Sequence, residues 1–501
     1  MDNILHNLIY SFFDEVIAHQ DNYPTKLSLL LYCYFQMFYN IGSLFNTKTP
    51  ITADRVIFPN WYNELYKQLS FNTIGCNRLD LLHNLLYYGH NGFLSALYKD
   101  FDKTKYKITD FGINDVRLLT KLQSQFFNWG ADHLLGKNTE LQTTFNSKIN
   151  STGMPSDISG TLDFVPTNPN KWTNLIVPNG SFSENDIPII DINASTTYNI
   201  QNFIGNEWGN NRGFSIHPVK EEILELSAKI SKSWNDGYQE QTNILLAIYE
   251  NLDERKKIIS ELFSGESKTN ISISGFWVII AMMLSKKNNQ SIENDITMFF
   301  IIGAGMYDAG LAAWTYKTKF ESPRPINIIR YFLKEKQLAS WNPQMKPSIM
   351  GQYWLPYQNL TYVSPSHPET ISSHTMFSVV SGRLLEWWFN SSILYNPFKL
   401  FSISNPQLIS SCLNSQYKTF SCGEFCIKRG SSQIEPNVTP SQTILLKYNT
   451  IKELYEDIGL SRVYGGVSWM KSIENSNELA CWVSDRVRNK FETIFKIKSP
   501  Y

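Results

Sequence analysis

No histidine follows His374, and only six of the 501 residues are cysteines. Cys33, Cys76, Cys412, Cys422, Cys426 and Cys481 are too sparse for a disulfide framework and are expected to be reduced, structural thiols. The spacing in "CGEFC" (422–426), without a nearby histidine, leaves any zinc site dependent on Cys412 or distant carboxylates. Whether Cys412, Cys422 and Cys426 pair or bind metal stays open. An excess of one charge is also missing, since Lys+Arg and Asp+Glu are each 45. Bulk charge therefore gives no reason to expect nucleic acid or an anionic membrane as partner. Long apolar runs are lacking too. "GFWVIIAMMLS" (275–285) is short, and "FFIIGAGMYDAGLAAW" (299–314) contains Asp308, so both read as buried helices and no membrane span is expected. The acidic start "MDNILHNLIYSFFDEV" lacks the basic segment and small-residue cleavage site of a signal peptide. A soluble protein is expected, intracellular or within an assembled particle.

What is present is apolar and aromatic: 42% hydrophobic and 14% aromatic residues exclude a mainly disordered chain. Residues 1–145 read as the N-terminal helical part of a bundle, with dense apolar patterns at 26–45 and 75–98. Residues 146–216 are rich in Pro, Gly, Ser and Asn and read as an irregular cover whose Trp, Phe and Ile residues need something to pack against. Helical patterns resume over 220–250, 253–263, 374–389, 450–459 and 478–497, with Asp253 placed to start one of them. The stretch 398–439 reads as an irregular insertion in a helical core spanning 217–501. The fold class is all-α, with minor strands at most.

Three segments carry the chemistry. In "KTKFESPRP", Pro325 restricts the backbone just after Arg324, and Lys317 lies on the preceding helix end. In "SPSHPETISSHTMF", Ser372, Ser373 and His374 open an apolar helix, whose first amides suit an oxyanion. Ser372 either donates its hydroxyl to a ligand or caps the helix. His374 is either a general acid-base or a structural histidine. In "SRVYGGVSW", Arg462 offers a bidentate guanidinium, and Gly465-Gly466 is either a close backbone approach, a positive-φ pair or a simple turn. Together Lys317, Arg324, Ser372, Ser373, His374 and Arg462 describe a cationic, donor-rich oxyanion pocket.

These blocks resemble the vanadium-dependent haloperoxidases and the type 2 phosphatidic acid phosphatase superfamily. That pattern runs Lys, six residues, Arg-Pro; then Pro-Ser-Gly-His; then Ser-Arg, five residues, His. Lys317, Arg324 and Pro325 match the first block. Ser372 and His374 match the second, with Ile371 at its proline and Ser373 at its glycine. Ser461 and Arg462 match the third. "MYDAGLAAWTYKTKFESPRPINIIR", "WGNNRGF" (208–214) and "DERKKIISELFSGE" also look like haloperoxidase segments, so the resemblance covers most of 20–490. It implies a haloperoxidase-like helical bundle with a bound oxyanion: phosphate or sulfate, or vanadate.

Ser468 stands at the family's last histidine. The resemblance implies that this position would ligate vanadium in a peroxidase or attack phosphorus in a phosphatase. A serine hydroxyl is a poor neutral ligand and stays protonated without a base. His217 and His367 are the remaining histidines weighed as substitutes. Ser472 stands where many relatives have an aspartate that would orient the missing imidazole. The expectation is a degenerate haloperoxidase-like protein, oxyanion-binding but without ordinary family catalysis, with a structural or interaction role and a homo-oligomeric or structural protein partner. The alternative is an active haloperoxidase or phosphomonoesterase using an atypical site, with His374 as acid-base and Ser468 or water as nucleophile.

Overall fold

The computed structural model describes residues 4–19, 24–43, much of 86–98, 168–178, most of 198–216, 229–264, 272–343, 347–394, 420–421 and 423–495. Helices dominate them: α1 (Ile4–Ala18), α2 (Pro24–Ser43), α3 (Tyr238–Glu250), α4 (Glu254–Leu262), α5 (Ile273–Lys287), α6 (Ile292–Phe320), α7 (Pro325–Phe332), α8 (Ser373–Phe389), α9 (Ile451–Tyr464) and α10 (Met470–Phe495). The described residues between 86 and 97 are also mostly helical. Three small antiparallel sheets accompany them. They pair β1 (Ile176–Pro178) with β2 (Tyr198–Ile200), β3 (Gln337–Leu338) with β4 (Ile349–Met350), and β5 (Phe420–Ser421) with β6 (Glu424–Ile427) and β7 (Ile444–Lys447). The architecture is all-α with short strands, as the patterning predicts.

The 29-residue α6 runs through the centre, against α2, α5, α8 and α10. Small residues make this possible. A β-carbon on Gly303 would crowd Tyr32 and Phe35 of α2, and one on Gly305 would lie 2.4 Å from Leu384 of α8. Most of the helices share one apolar core, while α3 and α7 pack in a second, smaller one, and the apolar stretch within 292–332 is buried in the protein's own interior. It is long and apolar enough to cross a membrane, but its neighbours are other helices of this chain.

Asp308 interrupts that helix with a fully buried carboxylate. It accepts the backbone N–H groups of Phe214 (2.6 Å) and Ser215 (2.7 Å) and the Ser215 hydroxyl (2.5 Å). Lys490 of α10 donates to the Phe214 carbonyl. A buried carboxylate is tolerated when several donors converge on it. Here it ties the 213–216 segment to α6, and Phe214 and Ile216 are buried in the main core.

Several expectations need correction. The helix expected over 220–250 starts, among described residues, only at Tyr238; "SWNDG" forms a turn ending at Gly237, whose φ is 105°. The described part of the 398–439 insertion is not simply irregular. Strands β5 and β6 lie in it and pair on to β7, because alternate residues Phe425 and Ile427 have a core face to cover. Helix α9 runs on past the predicted 459 and carries Ser461 and Arg462 in its last turn, and α10 starts at Met470, ahead of the predicted 478. Asp253 does cap α4, accepting the Lys256 N–H at 2.9 Å. Cys33, Cys426 and Cys481 are free thiols. Cys76, Cys412 and Cys422 lie outside the described residues, and among the described residues no group of three or more His, Cys, Asp or Glu is arranged to hold a metal ion.

Burial raises the Asp308 pKa from 3.8 to about 6, against the opposing pull of its hydrogen-bond donors. A raised folded pKa contributes stability below pH 3.8 that is lost as pH climbs through 6. For a shift of this size the loss is about 3 kcal/mol. In urea unfolding, the stability of the wild type relative to Asp308→Asn should fall as pH rises from 4 to 7.

Candidate functional site: a buried cationic pocket

The first block is placed by a helix end, a turn and a helix start. Lys317 lies in the last turn of α6, which closes at Glu321 in a left-handed conformation (φ 49°). Arg324 is the N-cap of α7 and Pro325 its first residue, where a missing N–H costs nothing. The Asn327 side chain accepts the Arg324 N–H at 3.2 Å. The Lys-to-Arg spacing thus spans one turn, and both side chains point inward. Lys317 is 0% exposed, Arg324 3% and Arg462 2%.

Backbone carbonyls surround these cations. Lys317 Nζ donates to the carbonyls of Pro368 (2.8 Å) and Glu369 (2.7 Å). Arg324 donates to the carbonyls of His367 (3.0 Å), Val467 (2.6 Å) and Pro368 (3.2 Å). Arg462 donates to the carbonyl of Ser264 at 2.7 Å. Carbonyl dipoles satisfy donors but do not cancel three charges. Sequence reasoning missed the buried group whose charge opposes theirs: Glu369, whose carboxylate accepts from the Thr370 hydroxyl (2.9 Å) and the Trp469 N–H (3.4 Å). Its signal was a carboxylate inside the proline-flanked run just before α8.

The second block lies at the start of α8. Ser372 is its N-cap: Oγ accepts from the Thr375 N–H (3.4 Å) and hydroxyl (3.0 Å), while the Ser372 N–H donates to Ser476 Oγ. Ser373 and His374 are the first two residues of the helix, whose first-turn amides have no carbonyl a turn back to meet. His374 is buried, and its Nε2 has no hydrogen-bond partner. An unpaired buried nitrogen is costly unless a ligand or water meets it.

In the third block the two glycines solve different problems. A β-carbon on Gly465 would lie 2.3 Å from Gln358 Nε2 and 2.7 Å from Ser260 Oγ. Gly466 has φ +67°, and a β-carbon there would lie 2.1 Å from the Tyr249 hydroxyl. The turn they make returns the Val467 and Ser468 N–H groups to the Arg462 carbonyl, at 3.0 and 3.1 Å. Ser468 is 2% exposed and follows the carbonyl that holds Arg324. Ser472 Oγ, one helical turn on, is buried with no hydrogen-bond partner.

Electrostatics bind these blocks into one site. Burial, then Arg324, pushes the Lys317 pKa well below its usual 10.5, with Arg462 adding to the effect and Glu369 opposing it. Burial and Arg462 hold His374 well below 6.5, the Ser264 carbonyl opposing and Arg324 and Lys317 adding. Burial, Lys317 and Arg324 do the same to His367. All these groups sense an excess of positive charge, which an anion would neutralise.

Comparisons with known proteins now fit this geometry. Residues 297–496 match the family model described as the VCPO second helical-bundle domain. Two solved structures of a bacterial vanadium-dependent chloroperoxidase resemble the chain over nearly its whole length. The holo form has 13% identity and a TM-score of 0.59, covering 95% of this chain and 93% of that one. The apo form has 14% identity and a TM-score of 0.58, covering 94% and 95%. A bacterial vanadium-dependent iodoperoxidase has 14% identity and a TM-score of 0.52, covering 97% and 96%. Among curated proteins none matches. The chain has the vanadium haloperoxidase-like fold.

In this haloperoxidase-like protein, His367 is the one weighed substitute imidazole placed among the cations; His217 lies outside the described residues. His367 packs on Trp314 (ring centroids 5.2 Å apart), and Arg324 Nη2 lies 2.9 Å from its Nδ1. The same Nδ1 lies 3.0 Å from the Pro368 carbonyl, so one ring nitrogen faces both a donor and an acceptor. The donor set suits a tetrahedral oxyanion, vanadate included, but position 468 supplies no imidazole to bond a metal.

Two outcomes follow. Depressed histidine pKa values contribute stability that is present above 6.5 and lost as pH falls below it. Urea unfolding should therefore show the wild type losing stability from pH 7.5 to 5.5, with a shallower loss in His374→Gln. Gly466→Ala should lower stability by about 2 kcal/mol or more, from overlap plus a disfavoured φ, measurable in the same assay.

Proposed function

We propose that this pocket binds a tetrahedral oxyanion, phosphate or vanadate, without the peroxidase or phosphatase reaction typical of its fold. The observation that carries the reading is the group of three buried cations with, among the described residues, one buried carboxylate acting on Lys317, beside a His374 Nε2 that has no partner. An anion would compensate the surplus charge and offer that nitrogen a partner. The bacterial chloroperoxidases of the same fold are vanadium-dependent, which supports vanadate as a second occupant.

Catalysis asks for more. A nucleophile or metal-bonding nitrogen is needed opposite the acid-base, and position 468 offers a hydroxyl without a base of its own. His374, held neutral near pH 7 in the anion-free pocket, accepts a proton more readily once an anion is bound. Its role in this reading is to pair with the anion and tune its protonation. A pocket that holds an anion without turning it over suits a structural role, in which the ligand stabilises the fold around it.

The test begins with phosphate titration followed by calorimetry. Binding should weaken at least about tenfold in Arg462→Met and in Lys317→Met. Absence of binding in the folded wild type would overturn the anion reading. Vanadate-loaded protein is then assayed for halide oxidation by hydrogen peroxide, and vanadate-free protein for phosphate-ester hydrolysis. Both should be silent in the wild type and one should appear in Ser468→His. Wild-type turnover abolished by His374→Ala would overturn the non-catalytic part.

A further inference from the structure

The pocket's most exacting carbonyl belongs to Ser264, which accepts from Arg462 and lies beside His374. Ser264 follows the end of α4, with its N–H donating to the Glu261 carbonyl at 3.3 Å. What fixes this helix end is a contact that the anion reading leaves unused. Glu254, Lys257 and Glu261 lie on one face of α4 and meet the loop 428–441 in antiparallel order.

At the start of the helix, Glu254 accepts the N–H and hydroxyl of Ser441, at 2.9 and 3.1 Å. In the middle, Lys257 donates to both oxygens of Glu435 at 2.9 Å, and Glu435 also accepts from Trp341 Nε1 (2.6 Å) and the Thr439 hydroxyl. At the end, Glu261 accepts three donors: the hydroxyls of Ser432 (2.5 Å) and Tyr357 (2.9 Å) on Oε1, and the Gln433 N–H (2.8 Å) on Oε2. The loop is itself braced, since Ser432 Oγ accepts the N–H groups of Ile434 and Glu435. Tyr357 adds a second route to the pocket: its neighbour Gln358 donates to the Gly465 carbonyl at 3.0 Å.

We propose that the loop 428–441 is a strap that positions the anion pocket, with Glu261 as the positioning residue joining the strap to the Ser264 carbonyl beside Arg462 and His374. The proposal rests on the anion reading for its consequence but not for its test. Glu261 touches no pocket cation. It fixes the helix end from which Ser264 projects, and its two oxygens face donors only. An amide in its place would turn an N–H₂ toward one of those donors, so Glu261→Gln keeps the shape and breaks the join. Tyr357→Phe removes one donor and leaves the ring against Trp341, 4.8 Å away.

The experiment compares wild type, Glu261→Gln and Tyr357→Phe by two readouts. One is the ¹⁵N resonance of the His374 imidazole in anion-free protein, which reports its surroundings. The other is phosphate affinity by calorimetry. Both variants should move the His374 resonance, and Glu261→Gln should weaken phosphate about tenfold. An unmoved His374 resonance in folded variants overturns the strap, whatever the affinity. If wild type binds no phosphate, the anion reading falls while the resonance still decides the strap. Should Glu261→Gln fail to fold, Tyr357→Phe decides alone, an unmoved resonance counting against the proposal.

Discussion

Burying Lys317, Arg324 and Arg462 together is the constraint on which the rest of the structure depends. Three cations in a low-dielectric interior repel one another, and none is stable there without compensation. Compensation comes from carbonyls of three separate segments, Ser264, His367 to Glu369 and Val467, and from the Glu369 carboxylate. Each segment must therefore hold its backbone in a set position. That requirement explains the glycine pair, the capped start of α8 and the return of 467–468 onto Arg462.

The surrounding helices supply rigidity rather than chemistry. Helix α6 delivers Lys317 from the centre of the bundle, and its small residues let α2 and α8 close in on it. Trp469 links the third block to the first, its Nε1 donating to the Pro323 carbonyl and its N–H to Glu369. The carboxylates outside the pocket work at a different level. Asp308 holds the 213–216 segment to the core, and Glu261 and Glu435 hold the 428–441 loop to α4. Polar groups buried this way must be fully partnered, so they fix one arrangement where apolar packing would accept several.

Ser468 separates the fold from the chemistry. The pocket's cations remain in place around it, while Ser472 Oγ lies buried with no partner. An orienting group has little to do when the imidazole it would orient is missing. His367 stands close by, its Nδ1 engaged by Arg324 and the Pro368 carbonyl. The cations are present while position 468 carries a hydroxyl in place of an imidazole, and the proposed reading follows from this contrast.

The amino-acid order by itself determined the helical class, the three blocks and the lack of a histidine after His374, because periodicity and residue identity are local properties. The cap at Asp253 was legible for the same reason. The sequence misjudged the described residues just before Tyr238, where a turn at Gly237 overrides a helical pattern, and strands β5 and β6, whose pairing depends on a distant β7. Only the tertiary structure decided that Ser372 serves as a cap, that Glu369 joins the cations and that His367 rather than a C-terminal residue enters the pocket. It alone placed the Ser264 carbonyl against Arg462. Those outcomes depend on which groups meet across separations of 43 to 198 residues of chain, and burial makes each such meeting obligatory.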